Sequence, residues 1–472
     1  MQRILFVLVC FLFAFIPLYP KFPLINVAGT FVAVRIEDIF IVFTLGIWVI
    51  YMVYSKKLNQ FFRDKLNQAL LIFFFIGGVS LISANFLTHT VTLHLSFLHW
   101  ARRVEFMMLL PLVAMVVSNR KQLIFILGLL SFVVLMVNIY ALGQQYLNWP
   151  IISTTNSEFS KGLILTLTPG TRVTSTFAGH YDLAVFLAMT LTLLSMIFFA
   201  AKFMFRIGVI ILGVLSLLVL IMTAARLSFV AAAAGILTAL ILSGKKKFIL
   251  LFALSLALIL LYPSQLRDRF ISTITVNILD MGQRYQGQTE DQRIRSRLNI
   301  PTLAIKTSTD SAETSTFASP SGETATDIAP GEPVDTTQLG VYRSFEIRLN
   351  LEWPRAITAF SKNPAIGTGY SSLGIATDND FLRSLGEVGL LGTIAFGLIL
   401  IESGKRVWSQ VKNSDKLLKY FSVGIFSMII AFLVNALFID VFEASKVASL
   451  FWMILGLNLA ISNFNKPYVK KL

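Results

Sequence analysis

Cysteine is nearly absent: Cys10 stands alone, which excludes an intramolecular disulfide framework. Histidine is scarce, with 4 in 472 residues, and none shares with cysteine the spacing of a zinc site. His89, His94 and His99 recur at an interval that suits neither one helix face nor a metal signature, so no metal is expected. Charge is thin: 14% of residues are Asp, Glu, Lys or Arg, against about a quarter in a soluble domain. No internal repeat is visible. No small-x-small cleavage site follows the apolar "MQRILFVLVCFLFAFIPLYP", so the N-terminus reads as an uncleaved first span.

What is abundant is hydrophobicity, at 56% of the chain. Apolar runs of about 18 or more residues recur, the length a helix needs to cross a bilayer. The expected fold is an all-α polytopic membrane protein with about twelve transmembrane helices. Their apolar cores fall near 4–19, 37–54, 67–86, 104–118, 122–142, 182–201, 207–224, 227–243, 248–262, 387–402, 420–438 and 446–462. The net charge is +15, from 40 Lys and Arg against 25 Asp and Glu. In a soluble chain that surplus would point to nucleic acid. Here it sits in short loops, where basic residues set membrane orientation, and no nucleic-acid partner is expected. With the N-terminus in the cytoplasm, every short inward segment is basic, including Lys56–Lys57, Arg120–Lys121, Lys202, Arg206, Lys245–Lys247 and Lys405–Arg406. Both termini are then cytoplasmic.

The chain divides into an N-terminal transmembrane bundle of about nine helices over 1–262, a large extracytoplasmic loop over 263–386, and a C-terminal bundle of about three helices over 387–472. Residues 307–338 of the loop are rich in Ser, Thr, Pro and Gly and are expected to form a disordered insert. A helix ending at the turn "KNPAIGTGY" follows.

Four polar features share the outward side of this threading. In "TAARLSFVAAAAG", Arg226 lies where a long apolar run must turn between two spans. It either snorkels to headgroups or clamps a phosphate at the membrane edge. In "FEIRLNLEWPRAITAF", Arg348 precedes Trp353 on an amphipathic helix that also suits resting on the bilayer. In "STFAGHYDLAVFL", His180 and Asp182 open a helix, with Asp182 as a cap. In "GIATDNDFLRSLGEVGLLG", Asp378, Asn379, Asp380, Arg383 and Glu387 crowd the mouth of another. There Thr377 and Asp380 have the spacing of a capping box, and Arg383 and Glu387 that of an i,i+4 ion pair. Helix initiation needs only one or two such groups, so the remainder points to a site for a substrate with anionic groups recognised by arginine.

In order and spacing these segments resemble the O-antigen ligase and O-antigen polymerase superfamily of bacterial glycan-assembly proteins. "STF…HYDLAVFLAM" resembles the family's entry to a mid-chain span, and "TAARLSFVAA" its Thr-x-x-Arg at a span junction. "EIRLNLEWPRAITAFSKNPAIGTGYSSLG" is similar to its Arg…Trp…Asn-Pro-x-x-Gly-x-Gly block, and "DNDFLRSLGEVGLLGTIAF" to its [His/Asp]-Asn-x-x-Leu…Glu-x-Gly-x-x-Gly block. The likeness covers residues 170–405, while the first spans match in hydropathy only.

The resemblance implies an inverting, metal-independent glycosyltransferase that uses no cofactor, in a helical membrane fold related to the GT-C class. It implies a place in the bacterial cytoplasmic (inner) membrane with the active site extracytoplasmic. The donor would be an oligosaccharide on undecaprenyl diphosphate. The acceptor would be a glycan or lipid: lipid A-core for a ligase, a second lipid-linked oligosaccharide for a polymerase. Carried over, Arg226 and Arg348 hold the diphosphate and Asp378 acts on the acceptor hydroxyl, these three being the catalytic set. Asn379, Asp380, Arg383, Glu387 and His180 bind substrate. Many ligases have His-Asn where this chain has Asp378-Asn379, a departure that points towards a polymerase of a surface polysaccharide. The alternative from another class is a lipid-linked oligosaccharide flippase or other transporter. The lack of repeated halves and the one-sided clustering of polar residues count against it.

Overall fold

Lipid offers no partner to a bare backbone N–H or C=O, so a chain this apolar is driven into helices that satisfy those groups internally. The computed structural model describes residues 1–27, 33–152, 164–167, 171–275, 324–325, 347–374, 376–413 and 415–464. Its helices are α1 (Gln2–Leu18), α2 (Ile36–Tyr54), α3 (Leu58–Arg63), α4 (Lys65–Phe86), α5 (Leu93–Val116), α6 (Arg120–Tyr146), α7 (His180–Ala200) and α8 (Phe203–Met222). They continue with α9 (Arg226–Leu242), α10 (Lys247–Leu261), α11 (Gln265–Thr275), α12 (Trp353–Lys362), α13 (Asp380–Val411), α14 (Lys416–Ala436) and α15 (Ser445–Ile461). Each apolar core read from the sequence is a helix.

Among the described residues, seven helices are long and apolar enough to cross a membrane: α2, α4, α6, α7, α8, α13 and α14. α10 and α11, bent by 92°, make an eighth if counted as one broken span. α1, α9 and α15 are shorter, at 17 residues each. α5 carries Arg102, Arg103 and Glu105 in its body. Among the described residues, sheet is confined to short pairings: β1 (Pro23–Asn26) with β2 (Ala33–Arg35), and β3 (Ile151–Ile152) with β4 (Ile164–Leu167), which β5 (Thr324–Ala325) joins in parallel. Apart from the β5 backbone, the insert expected over 307–338 lies outside the described residues.

Helices from the two ends of the chain pack on one another. α7, α9 and α14 pack mutually, α13 packs on α4, and α15, buried along its whole length, packs on α5. Small residues permit these approaches. A Cβ on Gly235 would lie 2.6 Å from Thr192 Oγ1 and 2.9 Å from Ala431 Cβ, and one on Gly456 would lie 2.7 Å from the Leu110 carbonyl oxygen. Buried amide–hydroxyl pairs tie the same helices: Asn138 to Ser216, Ser228 to Asn435 and Asn458 to Ser422, each at 2.8 Å. Such bonds contribute about 0.6 kcal/mol apiece in a membrane bundle. α10 buries none of its residues and lies at the periphery.

The basic loops gather at one end. Arg406 clamps Asp64 at 2.9 and 3.0 Å, Arg120 reaches Asp415 at 3.4 Å, and Lys245 lies over the Phe199 and Tyr420 rings. The four polar features gather at the other end.

α13 breaks at Gly389, where φ is 66° and ψ is −169°. The turn after α12 fills the break with its own backbone. Leu390 and Leu391 donate to the carbonyls of Pro364 and Ala365 at 2.8 and 3.1 Å, while the amides of Thr368 and Gly369 donate to the carbonyls of Gly386 and Glu387, each at 2.9 Å. Two glycines make this approach possible. A Cβ on Gly367 would lie 2.4 Å from the Glu387 carbonyl, and one on Gly389 would lie 2.5 Å from the Ile366 and Gly367 nitrogens. Gly389→Ala is therefore expected to cost about 1–3 kcal/mol in backbone strain and a similar amount in overpacking. The thermal midpoint of the purified protein reads this, and a midpoint equal to the parent's would contradict it.

Candidate functional site

The opening of α13 is set by its neighbours. Asn379 turns its Oδ1 to the N–H groups of Phe381 and Leu382 at 3.0 and 2.9 Å, and its Nδ2 donates to the Leu437 carbonyl at 3.1 Å. The N-cap is thus Asn379, a correction to the capping box expected at Thr377. The reason lies in Asp440, on the turn between α14 and α15. Its carboxylate accepts from the backbone N–H of Thr377, Asp378 and Asn379 at 2.7, 3.2 and 3.2 Å, drawing the loop inward. Asp378 is held there at φ 50°, a left-handed conformation that aspartate tolerates.

In that conformation the Asp378 carboxylate meets Arg348 at 2.7 Å. Arg348, 9% exposed, also donates to the Phe438 carbonyl at 3.3 Å. It starts a π-helical turn, Arg348–Glu352, that runs into α12. Such turns recur at functional sites because they re-aim side chains. Burial pushes the Asp378 carboxyl above its ordinary value; Arg348 pulls the other way and Asp440 adds to the rise.

Arg226 opens α9. The α8–α9 turn passes through Ala224 at φ 51° and sets the guanidinium against α11, where it donates to the Arg269 carbonyl at 3.2 Å and to the Thr273 hydroxyl. Arg226 lies within electrostatic reach of Arg269, Arg348 and Arg172. Arg172 in turn meets His180 Nε2 at 2.7 Å, and His180 is buried with its ring 4.1 Å from that of Tyr181. Arg226 thus has three other guanidiniums, from three separate segments, within electrostatic reach, and one of them, Arg348, holds Asp378; together they form the arginine mouth. Guanidinium forks match phosphate oxygens in geometry as well as charge, so the arrangement suits a polyanion.

Behind the mouth lies a second, sealed cluster. Arg383, 2% exposed, contacts Asp440 at 3.1 Å, Glu387 at 3.5 Å and Glu443 at 3.8 Å. Arg103 of α5 pairs with Glu443 and donates to the Phe442 carbonyl at 2.8 Å. Asp380 accepts from the Phe442 N–H at 3.2 Å, and Glu387 from the Ser371 N–H at 3.2 Å. Burial alone would raise the Glu443 carboxyl, but Arg103 and Arg383 outweigh it and hold the group below its ordinary value.

Of the residues singled out in the sequence, Arg348 and Asp378 are in direct contact and Arg226 faces the same mouth. His180 joins through Arg172. Asn379, Asp380, Arg383 and Glu387 are engaged with the protein itself: Asn379 caps α13, Asp380 and Arg383 bind it to the α14–α15 turn, and Glu387 accepts from the Ser371 N–H and pairs with Arg383. Asp182, expected as a cap, instead pairs with Lys21 at 3.3 Å, and the N-cap of α7 is Gly179. Sequence reasoning missed Arg172 and Arg269, two arginines in segments the sequence reads as outward, and Arg103, Asp440 and Glu443. The available signal was charge at the ends of apolar runs: Arg103 within α5 and the acid pair of "DVFEASK" between α14 and α15.

No protein-family model matches the chain, and no curated protein matches it.

Proposed function

We propose that the chain is a membrane glycosyltransferase of the O-antigen ligase and polymerase type. It would cross the bacterial cytoplasmic membrane about twelve times and act at the extracytoplasmic face. The observation that carries this is that Arg348, paired with Asp378 at 2.7 Å, lies within electrostatic reach of Arg226, far from it in sequence.

An acceptor hydroxyl oxygen attacks the anomeric carbon of a lipid-linked glycan from the face opposite the diphosphate. The carbon–oxygen bond to the diphosphate breaks, its electron pair stays on the leaving group, and the anomeric configuration inverts. Arg226 and Arg348 oppose the charge that grows there, the role a divalent cation plays in other transferases. The proton of the hydroxyl passes to the Asp378 carboxylate and then to water. A carboxyl raised by burial is a stronger base than an ordinary one, and its contact with Arg348 fixes its direction. An aspartate at this position favours a polymerase, which elongates a second lipid-linked oligosaccharide, over a ligase.

One observation favours the transporter reading. α13 is broken and α10 bends sharply into α11, and transporters use discontinuous helices to present free backbone groups to cargo. The groups freed at Gly389 are, however, already bonded by the 364–369 turn, so this break offers cargo little to hold.

The pH dependence tests the role of Asp378. Its ionised form is the active one, so kcat/KM falls as acid protonates it. Because its pKa is raised in the folded protein, that acid limb lies above the ordinary aspartate value of about 3.9. Asp378→Asn is expected to lower kcat/KM by about 10²–10⁴ and to abolish the limb. The same limb persisting in the variant would remove Asp378 from the chemistry. Product analysis sorts the two activities: a ladder of longer lipid-linked glycans marks a polymerase, and transfer onto lipid A-core alone marks a ligase.

A further inference from the structure

α7, α8, α9 and α10 enclose a cavity of about 310 Å³, within the range of small-ligand sites. It shares no lining residue with the arginine mouth. Its walls are apolar, among them Leu194, Phe198, Ile210, Val214 and Phe252. The two serines that line it donate their hydroxyls within their own helices, Ser195 to the Thr192 carbonyl and Ser255 to the Phe252 carbonyl, each at 2.7 Å. Ile210 and Val214 are also 50% and 53% exposed, and exposure of such side chains in a bilayer means contact with lipid chains. The cavity therefore opens sideways into the membrane along α8. A Cβ on Gly213, in the same wall, would meet nothing within 4 Å, so the trough is open there.

One end of the trough is the Phe198 ring, and the half-buried Arg206 guanidinium lies over it, 5.6 Å from its centroid. Arg206 Nε donates to the Ala201 carbonyl at 3.1 Å, which fixes the plane of the fork and leaves both Nη groups for a ligand. Lys202 stands on the same turn, and Lys245, on the α9–α10 turn, lies over the ring of Phe199, the neighbour of Phe198. Lys246 and Lys247 follow it. Acids are missing from this quarter of the bundle: residues 183–267 contain no Asp or Glu. Asp415 opens α14, which packs on α7 and α9, but it pairs with Arg120 at 3.4 Å. Basic loops set membrane orientation, yet orientation alone requires no guanidinium held over the wall of a cavity.

An open guanidinium fork at the head of an apolar trough, among lysines and without acids, complements a phosphodiester of net negative charge. We propose that this cavity binds an anionic phospholipid, of the phosphatidylglycerol class, from the leaflet at the basic end of the bundle. The phosphate lies against Arg206, and an acyl chain enters the trough past Ile210 and Val214. An ethanolamine or choline headgroup would bring a positive charge among the lysines, with no carboxylate to receive it.

Native mass spectrometry of the full-length protein, released from mixed micelles holding equal amounts of phosphatidylglycerol, phosphatidylethanolamine and phosphatidylcholine with matched chains, tests this. The glycerol lipid is expected to be retained about tenfold over the choline lipid. Arg206→Gln is expected to shrink that preference to about twofold, while Lys56→Gln, which removes one charge from another basic loop, leaves it about tenfold. Gly213→Leu, which fills the trough where no atom stands in the way, is expected to lower retention of all three. Equal retention of the glycerol and choline lipids by the parent protein would overturn the proposal, whether or not any variant folds. A preference that Lys56→Gln reduces as much as Arg206→Gln would belong to diffuse charge and would overturn it too. A tenfold preference surviving in Arg206→Gln would overturn the role given to the guanidinium.

Discussion

Arg348→Ala is expected to lower glycosyl transfer about a thousandfold while the protein stays folded. The guanidinium lies at the mouth where leaving-group charge would develop, and removal of one such preorganised donor typically lowers kcat by about 10²–10³. It also fixes Asp378 at 2.7 Å, so the base proposed for the acceptor loses its direction with the same substitution, which places the effect at the upper end. Arg348→Lys is expected to recover part of the loss, because it restores the charge but not the planar fork. Initial rates of lipid-linked glycan elongation, at saturating donor, give the comparison. A parent-like rate in Arg348→Ala would place the diphosphate elsewhere.

Arg383→Ala is expected to remove the folded protein. Its side chain is 2% exposed and faces Glu387, Asp440 and Glu443, so truncation leaves acidic groups in a sealed interior. Breaking a buried ion pair from one side costs about 3–5 kcal/mol. Total stabilities of about 5–15 kcal/mol leave little margin for such a loss. Neutralising an orphaned acid in the same chain, with Arg383→Met and Glu387→Gln together, is expected to return part of the yield, since the cost comes from charge rather than volume. Size-exclusion profiles and thermal midpoints of the purified variants decide it. A parent-like midpoint for Arg383→Ala alone would show that the cluster is not what locks α13 to the α14–α15 turn.

The two substitutions separate positions that look alike in the sequence. Asp378 and Arg383 belong to one crowded stretch, yet one faces the mouth and the other seals the interior. The apolar helices were legible because a bilayer demands long apolar runs and the chain supplies them. Arg348 and Asp378 stood out because charge is rare in such a chain. Partner choice was hidden. Asp440 and Glu443 lie in a short turn after α14, and nothing local to "DVFEASK" indicates that they meet Arg383. Thr377 and Asn379 are both acceptable N-caps, and only the pull of Asp440 on three successive N–H groups selects Asn379. Likewise "EVGLLG" has the small-residue spacing of helix packing, whereas Gly389 is a backbone break filled by a turn from another part of the chain. Arg172 and Arg269 sit in polar segments where an arginine attracts no notice until the fold brings them to Arg226.

The most direct test of a metal-free arginine mouth is transfer by the purified protein in EDTA, with undecaprenyl-diphosphate oligosaccharide as sole substrate and Arg226→Ala and Arg348→Ala run beside the parent. The expected result is a ladder of longer lipid-linked glycans from the parent that both variants lose. No transfer in any mixture, with movement of the same lipid between the leaflets of proteoliposomes, would contradict it and make the protein a transporter.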